Sequence, residues 1–365
     1  MASIDNFEFA HQHRTEVAWM SQNTNTLPMH PAVMDAIRRS VEDREFNNYP
    51  FKRGLFGLPE AILEDLRLDG LEVLLTNGGI EGEYIASRAL LKPGDEVVST
   101  DPAFLPIHDQ IAMAGAKPIA VDIYRKPYVL TPEWAADAVT PATKAMFLID
   151  PDNPMGSGYT RSQVKGLAEV AKDQDLLLID DITYRDFNAD HILATDFYPE
   201  KALLAYSFSK APGLAGMRVG ALLGPPEIMK QVKRFDTNPL GVNIVSQRAA
   251  LAALRTKKEW LPGVRAACER NQRIIQAAVD RVDGTSLPVF PSRANMFVID
   301  VSATGVSPEA LEERLLHDYL VHGRAGPYLS RLNGRKFFRV SFTVPEKDAK
   351  RFAEAFPAVM TKLQA

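Results

Sequence analysis

Between residues 73 and 224, short continuous apolar runs alternate with longer segments of helical periodicity; the runs occupy 73–75, 97–99, 119–121, 145–149, 176–179, 203–205 and 219–223. Strands covered on both faces read as unbroken apolar runs, and their alternation with helices is the sequence form of βα units around a parallel sheet. This pattern predicts an α/β fold, with a large domain built on a mostly parallel seven-stranded sheet sandwiched by helices and a smaller α+β domain after it. In such sheets ligands bind beyond the carboxyl ends of the strands. Chemistry is therefore expected just after each run.

The residues found there are chemically specific. Thr76-Asn77-Gly78-Gly79-Ile80 follows the first run and opens a helix, and free N–H groups at a helix start beside glycine form an anion site. Phe104, after the second run, either fills the core or lies against a flat ring. Asn153 stands between Pro151 and Pro154, which hold its amide in a fixed direction. The fifth run ends in Asp180-Asp181, with Thr183 and Tyr184 beyond; a carboxylate at a buried strand end calls for a cationic partner. Asp181 is the preferred residue and Asp180 the register alternative. The sixth run leads into Ser207-Phe208-Ser209-Lys210, with Arg218 a few residues on. A lysine amine becomes a nucleophile where burial or a nearby cation disfavours its charge, and Ser207, Ser209 and Arg218 suit a phosphate. Tyr49 lies in a loop rich in asparagine, glycine and basic residues, including Lys52 and Arg53, where its phenol can pack, donate to a phosphate or reach a neighbouring subunit.

An amine, a carboxylate, an amide, a phenol, an aromatic face and a phosphate cradle together match one cofactor. Pyridoxal 5′-phosphate carries an aldehyde, a ring nitrogen that stays protonated opposite a carboxylate, a phenolate oxygen, a flat ring and a phosphate. Other classes find less support. With 42 Lys+Arg against 46 Asp+Glu the net charge is −4, which leaves no electrostatic footprint for nucleic acid or an anionic membrane. Cys268 is the one cysteine, so neither an internal disulfide nor a cysteine-based metal site is expected. His11 and His13 have no further ligand nearby in sequence and are expected to be solvent-exposed, so no metal is assigned. The first residues, Met1 to Asn6, lack the basic-then-apolar order of a signal peptide, and a cytoplasmic location is expected.

The chain resembles the fold-type I, pyridoxal-phosphate-dependent aminotransferases of class I/II, nearest in motif wording to their histidinol-phosphate aminotransferase branch. The family's S-x-S-K and G-x-R-x-G elements are matched by Ser207, Ser209, Lys210, Gly216, Arg218 and Gly220, its D-x-x-Y step by Asp181 and Tyr184, and its N-P-T-G element by Asn153, Pro154 and Gly156. Met155, Ile80 and Pro59 depart from the family pattern. The resemblance implies that Lys210 forms the Schiff base and shuttles protons. It implies a phosphate held by Ser207, Ser209, Arg218 and the Gly79 and Ile80 backbone. By the same likeness Asp181 partners the pyridinium nitrogen, Tyr184 and Asn153 donate to the phenolate oxygen, and Phe104 stacks on the ring. Tyr49 resembles the tyrosine given to the neighbouring subunit's phosphate, which implies a homodimer.

Outside the sheet the signals are sparser. Residues 1 to 30 read as an extended arm, and 31–41 as an amphipathic helix with Val33, Ile37 and Val41 on one face. Beyond Gly224 the pattern turns helical, starting at Pro225-Pro226, with breaks expected at Pro239 and near Pro262; a helix from Ser307-Pro308 and strands at 298–300 and 338–342 come after it. The expected division is 46–250 for the large cofactor-binding domain, and 1–45 with 251–365 for the small one. Arg339 sits inside an apolar strand, where a buried guanidinium wants a bidentate carboxylate. The resemblance gives this arginine to the substrate α-carboxylate, with Asn25, Arg324, Ser292 and Asn295 as further pocket candidates. The expected activity is transfer of an amino group between an L-amino acid and a 2-oxo acid. A lyase, decarboxylase or oxidase on the same scaffold is the alternative.

Overall fold

In the computed structural model, residues 5–51, 54–236, 238 and 240–365 are described. Met1 to Ile4, Lys52-Arg53 and the break expected at Pro239 fall outside them.

The arm is more ordered than its sequence suggests. Asn6–Gln12 is a helix whose first turn is capped by the Asp5 carboxylate, accepting from Phe7 N at 2.8 Å. Ala10 and Val17 bury against Leu316, and the two-residue strand β1 (Ala18–Trp19) pairs with β10 (Val321–His322). So short a helix is held by docking, which its own periodicity cannot signal.

Each of the seven apolar runs becomes a strand: β2 (Glu72–Thr76), β3 (Glu96–Asp101), β4 (Lys117–Asp122), β5 (Thr143–Ile149), β6 (Leu177–Asp181), β7 (Ala202–Ser207) and β8 (Gly220–Gly224). They form one sheet in the order β2-β8-β7-β6-β5-β3-β4. β8 is antiparallel to both neighbours and the remaining pairs are parallel. All the parallel strands therefore end at one edge, and at that same edge β8 begins. This is why Arg218, just before β8, comes to the same place as the residues beyond the ends of the other strands. Apolar clusters cover both faces of the sheet.

A second sheet, in the order β11-β12-β9, is antiparallel and built from β9 (Met296–Asp300), β11 (Arg324–Ala325) and β12 (Phe337–Ser341). Helices Lys257–Val279, Pro308–Tyr319 and Glu346–Gln364 pack around it over a core containing Phe297, Phe338, Phe342, Phe352 and Phe356.

Packing departs from the expected division at one helix. Val33 and Ile37 of helix Pro31–Glu42 bury in the cluster shared with Leu251 and Leu223, so this helix joins the large unit, while Ala18 and Met20 join the small core. Residues 1–45 are thus not one piece. Val41, expected on the buried face, is 48% exposed. The chain also does not break near Pro262: the interruption lies at Thr256, between helices Ile244–Arg255 and Lys257–Val279, and Pro262 sits within the second helix.

Candidate active site

At the carboxyl edge of the large sheet a cavity of about 710 Å³ is walled by strand ends, by β11 and β12 of the small unit, and by arm residues 21–24. Of the residues singled out from sequence, Gly79, Ile80, Phe104, Asn153, Asp181, Tyr184, Ser207, Ser209, Lys210, Arg218, Arg324 and Arg339 all line it. Asp180 does not. Successive strand residues point to opposite faces, and Asp180 turns away to accept from Ala194 N at 3.1 Å.

One end of the cavity is made for an anion. Helix Gly79–Leu90 starts there, and the N–H groups of Gly79 and Ile80 at its first turn have no intrahelical acceptor. Arg218 donates to Asn77 O at 3.0 Å and lies so close that a Cβ on Gly78 would overlap its Nη2. Gly78 has φ +88°, which further favours glycine. Gly220 is equally constrained, since a Cβ there would lie 2.7 Å from the Gly79 nitrogen.

Lys210 stands in the middle. Its Nζ donates to Gln22 O at 3.1 Å and lies 5.8 Å from the Tyr184 ring centroid. Part of the side chain borders the open cavity, yet protein atoms crowd the amine. Burial first, then the Arg339 and Arg218 charges, lower it to about 8, with Asp181 opposing. Asp181 accepts from Thr183 N at 3.0 Å. Tyr184 OH accepts from Asn23 Nδ2 at 3.1 Å, and burial pushes the phenol upward, so it remains a proton donor.

The opposite wall is cationic. Arg339 and Arg324 are cross-strand partners on β12 and β11, an arrangement of like charges that destabilises unless an anion answers it. Arg339 is held by neutral acceptors, Nη1 on Asn153 Oδ1 at 2.7 Å and Nη2 on the Ser21 carbonyl, and its buried Nε has no partner among the described residues. Burial, with Arg324 adding to it, lowers the guanidinium to about 10.

Four expected residues lie elsewhere. Asn25 is outside the cavity: its Nδ2 donates to Ala211 O at 2.7 Å and its Oδ1 accepts from Leu27 N at 2.9 Å, so it ties the arm to the lysine loop. Ser292 is committed to Met296 O at 2.6 Å, and Asn295 donates to Asn23 O at 2.9 Å and to Thr343 Oγ1 at 2.7 Å. Tyr49 is 81% exposed and borders a separate surface hollow with Phe46 and Leu240. His11 is exposed and His13 partly so, 3.5 Å from Glu16, and no metal-binding cluster occurs among the described residues.

Two contributors carried no sequence signal. Asn23, at φ 55°, links Tyr184, Asn153 and the arm. Glu83, 2% exposed, enters the cavity from the second turn of helix Gly79–Leu90.

The residues present fit pyridoxal phosphate: an anion cradle that Cβ atoms would fill, a low-pKa amine, a buried carboxylate and an oriented phenol share one cavity. Comparison with known proteins agrees. The family model described as "Aminotransferase class I and II" matches residues 15–356. An aspartate aminotransferase of Pyrococcus horikoshii is 27% identical over 329 residues, 86% of this chain and 83% of that protein. Histidinol-phosphate aminotransferase 2 of Carboxydothermus hydrogenoformans is 28% identical over 290 residues, covering 78% of this chain and 77% of its own. A mutant Thermus thermophilus aspartate aminotransferase superposes with a TM-score of 0.83 at 25% identity, over 93% of this chain and 95% of the other.

Proposed function

This chain belongs to the class I and II aminotransferases, and from that premise we propose how its residues divide the work of a pyridoxal-phosphate-dependent transfer of an amino group between an amino acid and a 2-oxo acid. The cofactor, when bound, supplies an aldehyde that takes up amino groups and a ring that accepts the electron pair released at the substrate Cα.

Ser207, Ser209, Arg218 and the first-turn amides at Gly79 and Ile80 hold the phosphate. Asp181 keeps a proton on the ring nitrogen, Tyr184 and Asn153 donate to the phenolate oxygen, and Phe104 covers the ring. Lys210 would hold the cofactor through its Nζ and, as a free amine, would carry the proton at the substrate Cα. Its depressed pKa supports both tasks, since a neutral amine is required for each. Arg339 binds the substrate α-carboxylate, and its unpartnered Nε is the observation that favours this. The cavity, with all these groups on one wall-to-wall surface, carries the assignment.

The exposed Tyr49, beside exposed Phe46, Phe51 and Leu240, supports a homodimer in which the phenol reaches the partner's phosphate site. We infer a cytoplasmic location, which the single, buried Cys268 supports.

The test is the half-reaction. Mixing holoenzyme with a panel of amino acids one at a time is expected to convert the cofactor to its amine form for a subset of them. Release of ammonia or carbon dioxide with no oxo acid consumed would overturn the transfer reading.

A further inference from the structure

Asp181 has an acidic neighbour. Glu83 lies one helical turn beyond Gly79, so the helix that opens at the anion cradle also carries this carboxyl to the side of Asp181. Glu83 is 2% exposed and Asp181 5% exposed, both border the same cavity, and their carboxyl groups lie within hydrogen-bonding reach of each other. Two carboxylates in contact cannot both be charged, so one of them holds a proton. The surroundings decide which. Asp181 accepts from Thr183 N at 3.0 Å and feels the Lys210 charge, whereas the charge acting on Glu83 is that of Asp181 itself. Burial raises both carboxyls, Glu83 much further.

We propose that Glu83 is a positioning residue: it stays protonated and donates its O–H to Asp181, which fixes that carboxylate and holds it anionic toward the cofactor's ring nitrogen. This rests on the reading of Asp181 given above. A neutral Glu83 leaves a single negative charge opposite the ring nitrogen, and its donated hydrogen bond lowers the basicity of Asp181. The ring proton is then shared less strongly with Asp181 than it would be with a carboxylate lacking that donor. Nothing in the local sequence marks the residue, because an acid in a helix next to Gly82 and Tyr84 reads as a solvated position.

Infrared spectra of the holoenzyme at neutral pH, compared between unlabelled protein and protein carrying carboxyl-labelled glutamate, read the proton directly. A protonated-carboxyl C=O band that shifts with the label and vanishes in Glu83→Gln is expected. In parallel, cofactor affinity of the apoprotein is expected to stay within about threefold of wild type in Glu83→Gln, which keeps a donor. It should weaken about tenfold or more in Glu83→Leu, which keeps the size and loses the donor. The absorbance pH titration of the bound cofactor should shift in the leucine variant and be largely restored in the glutamine one. No label-sensitive band, or leucine and glutamine variants that bind and titrate alike, would overturn the proposal. Asp181→Asn separates the two layers: if it binds and turns over like wild type, the reading of Asp181 falls and this inference with it. If it is impaired while Glu83→Leu is not, only the role of Glu83 falls.

Discussion

Arg339 Nη1 donates to Asn153 Oδ1 at 2.7 Å, joining the small sheet to the loop after β5. The bond turns the asparagine: with its oxygen taken by Arg339, the amide NH₂ is the end left for another acceptor. One contact therefore links the expected substrate arginine to an expected cofactor ligand, and the two functions are coupled through a single side chain.

Replacing Arg339 by lysine removes the planar fork while keeping the charge. Hydrogen bonds to charged groups contribute about 1.5–3 kcal/mol each, so KM for the amino acid is expected to rise about 10- to 100-fold. Steady-state kinetics would check it, and a smaller drop in kcat is expected from the loosened Asn153. An unchanged KM would remove Arg339 from carboxylate binding.

The Lys210 amine, lowered to about 8, sets a pH dependence on the apoprotein. An ordinary lysine titrates near 10.4, so the native state has lost this proton across an interval where the unfolded chain still holds it, and stability from this group rises with pH from about 8 to about 10.4. Below about 8 the buried charge is a standing penalty. The same neutral fraction governs reconstitution: the rate of cofactor uptake is expected to climb with a midpoint near 8, falling about tenfold per unit of pH well below it. Stopped-flow absorbance would track it. In Lys210→Ala the cofactor is expected to bind without the lysine-linked absorbance and with turnover reduced at least 10²- to 10⁴-fold, the usual worth of a positioned acid–base group.

Two motif glycines separate on geometry. A Cβ on Gly220 would lie 2.6 Å from Tyr206 O and 2.7 Å from Gly78 C and Gly79 N, all backbone atoms that cannot rotate away. Gly220→Ala is therefore expected to push the phosphate turn off β8 and weaken cofactor affinity more than about tenfold, the equivalent of one charge-assisted hydrogen bond. At Gly216 an added Cβ meets nothing within 4 Å, and Gly216→Ala is expected to bind cofactor as wild type does. Fluorescence titration of the apoproteins distinguishes the pair.

The contrast between Lys210 and Glu83 explains what was legible in the sequence. The inner strands of the large sheet are buried on both faces and the edge strands β2 and β4 partly so, so they appear as continuous apolar runs, and the topology gathers the residues just beyond each run at one edge. Lys210, Asp181, Asn153 and Gly79 could be picked out because they sit at those positions. Glu83 could not, because it reaches the cavity from inside a helix, and its significance depends on which strand end that helix crosses. Asn25 lies outside the cavity for a related reason. It belongs to the same polar arm as Asn23, but the left-handed backbone at Asn23 turns one side chain to Tyr184 and leaves the other on the lysine loop. The arm helix Asn6–Gln12 was hidden because its stability comes from docking on Leu316, and the placement of helix Pro31–Glu42 because an apolar face does not say which core it meets.

Behind the site, two acids and two cations form a closed, nearly dry network. Asp65 accepts from Arg185, from Lys257 at 2.7 Å and from the Tyr206 hydroxyl at 2.8 Å, while Asp186 pairs with Arg185 at 2.9 Å and with Lys257 at 2.6 Å. The four charged side chains are between 11% and 14% exposed, so solvent screens them little. Arg185 directly succeeds Tyr184 in the chain, and the network therefore anchors the backbone that presents the phenol to the cavity. Removing one carboxylate leaves two buried cations sharing the other, and breaking a buried pair in this way costs about 3–5 kcal/mol. Asp65→Ala is expected to lose that much in denaturant unfolding of the apoprotein. The double variant Asp65→Ala, Lys257→Met restores one cation to one anion and is expected to recover most of the loss. If the double variant is instead less stable than the single by the full cost of a second truncation, charge balance is not what holds this corner of the fold, and packing of the Lys257 stem must be.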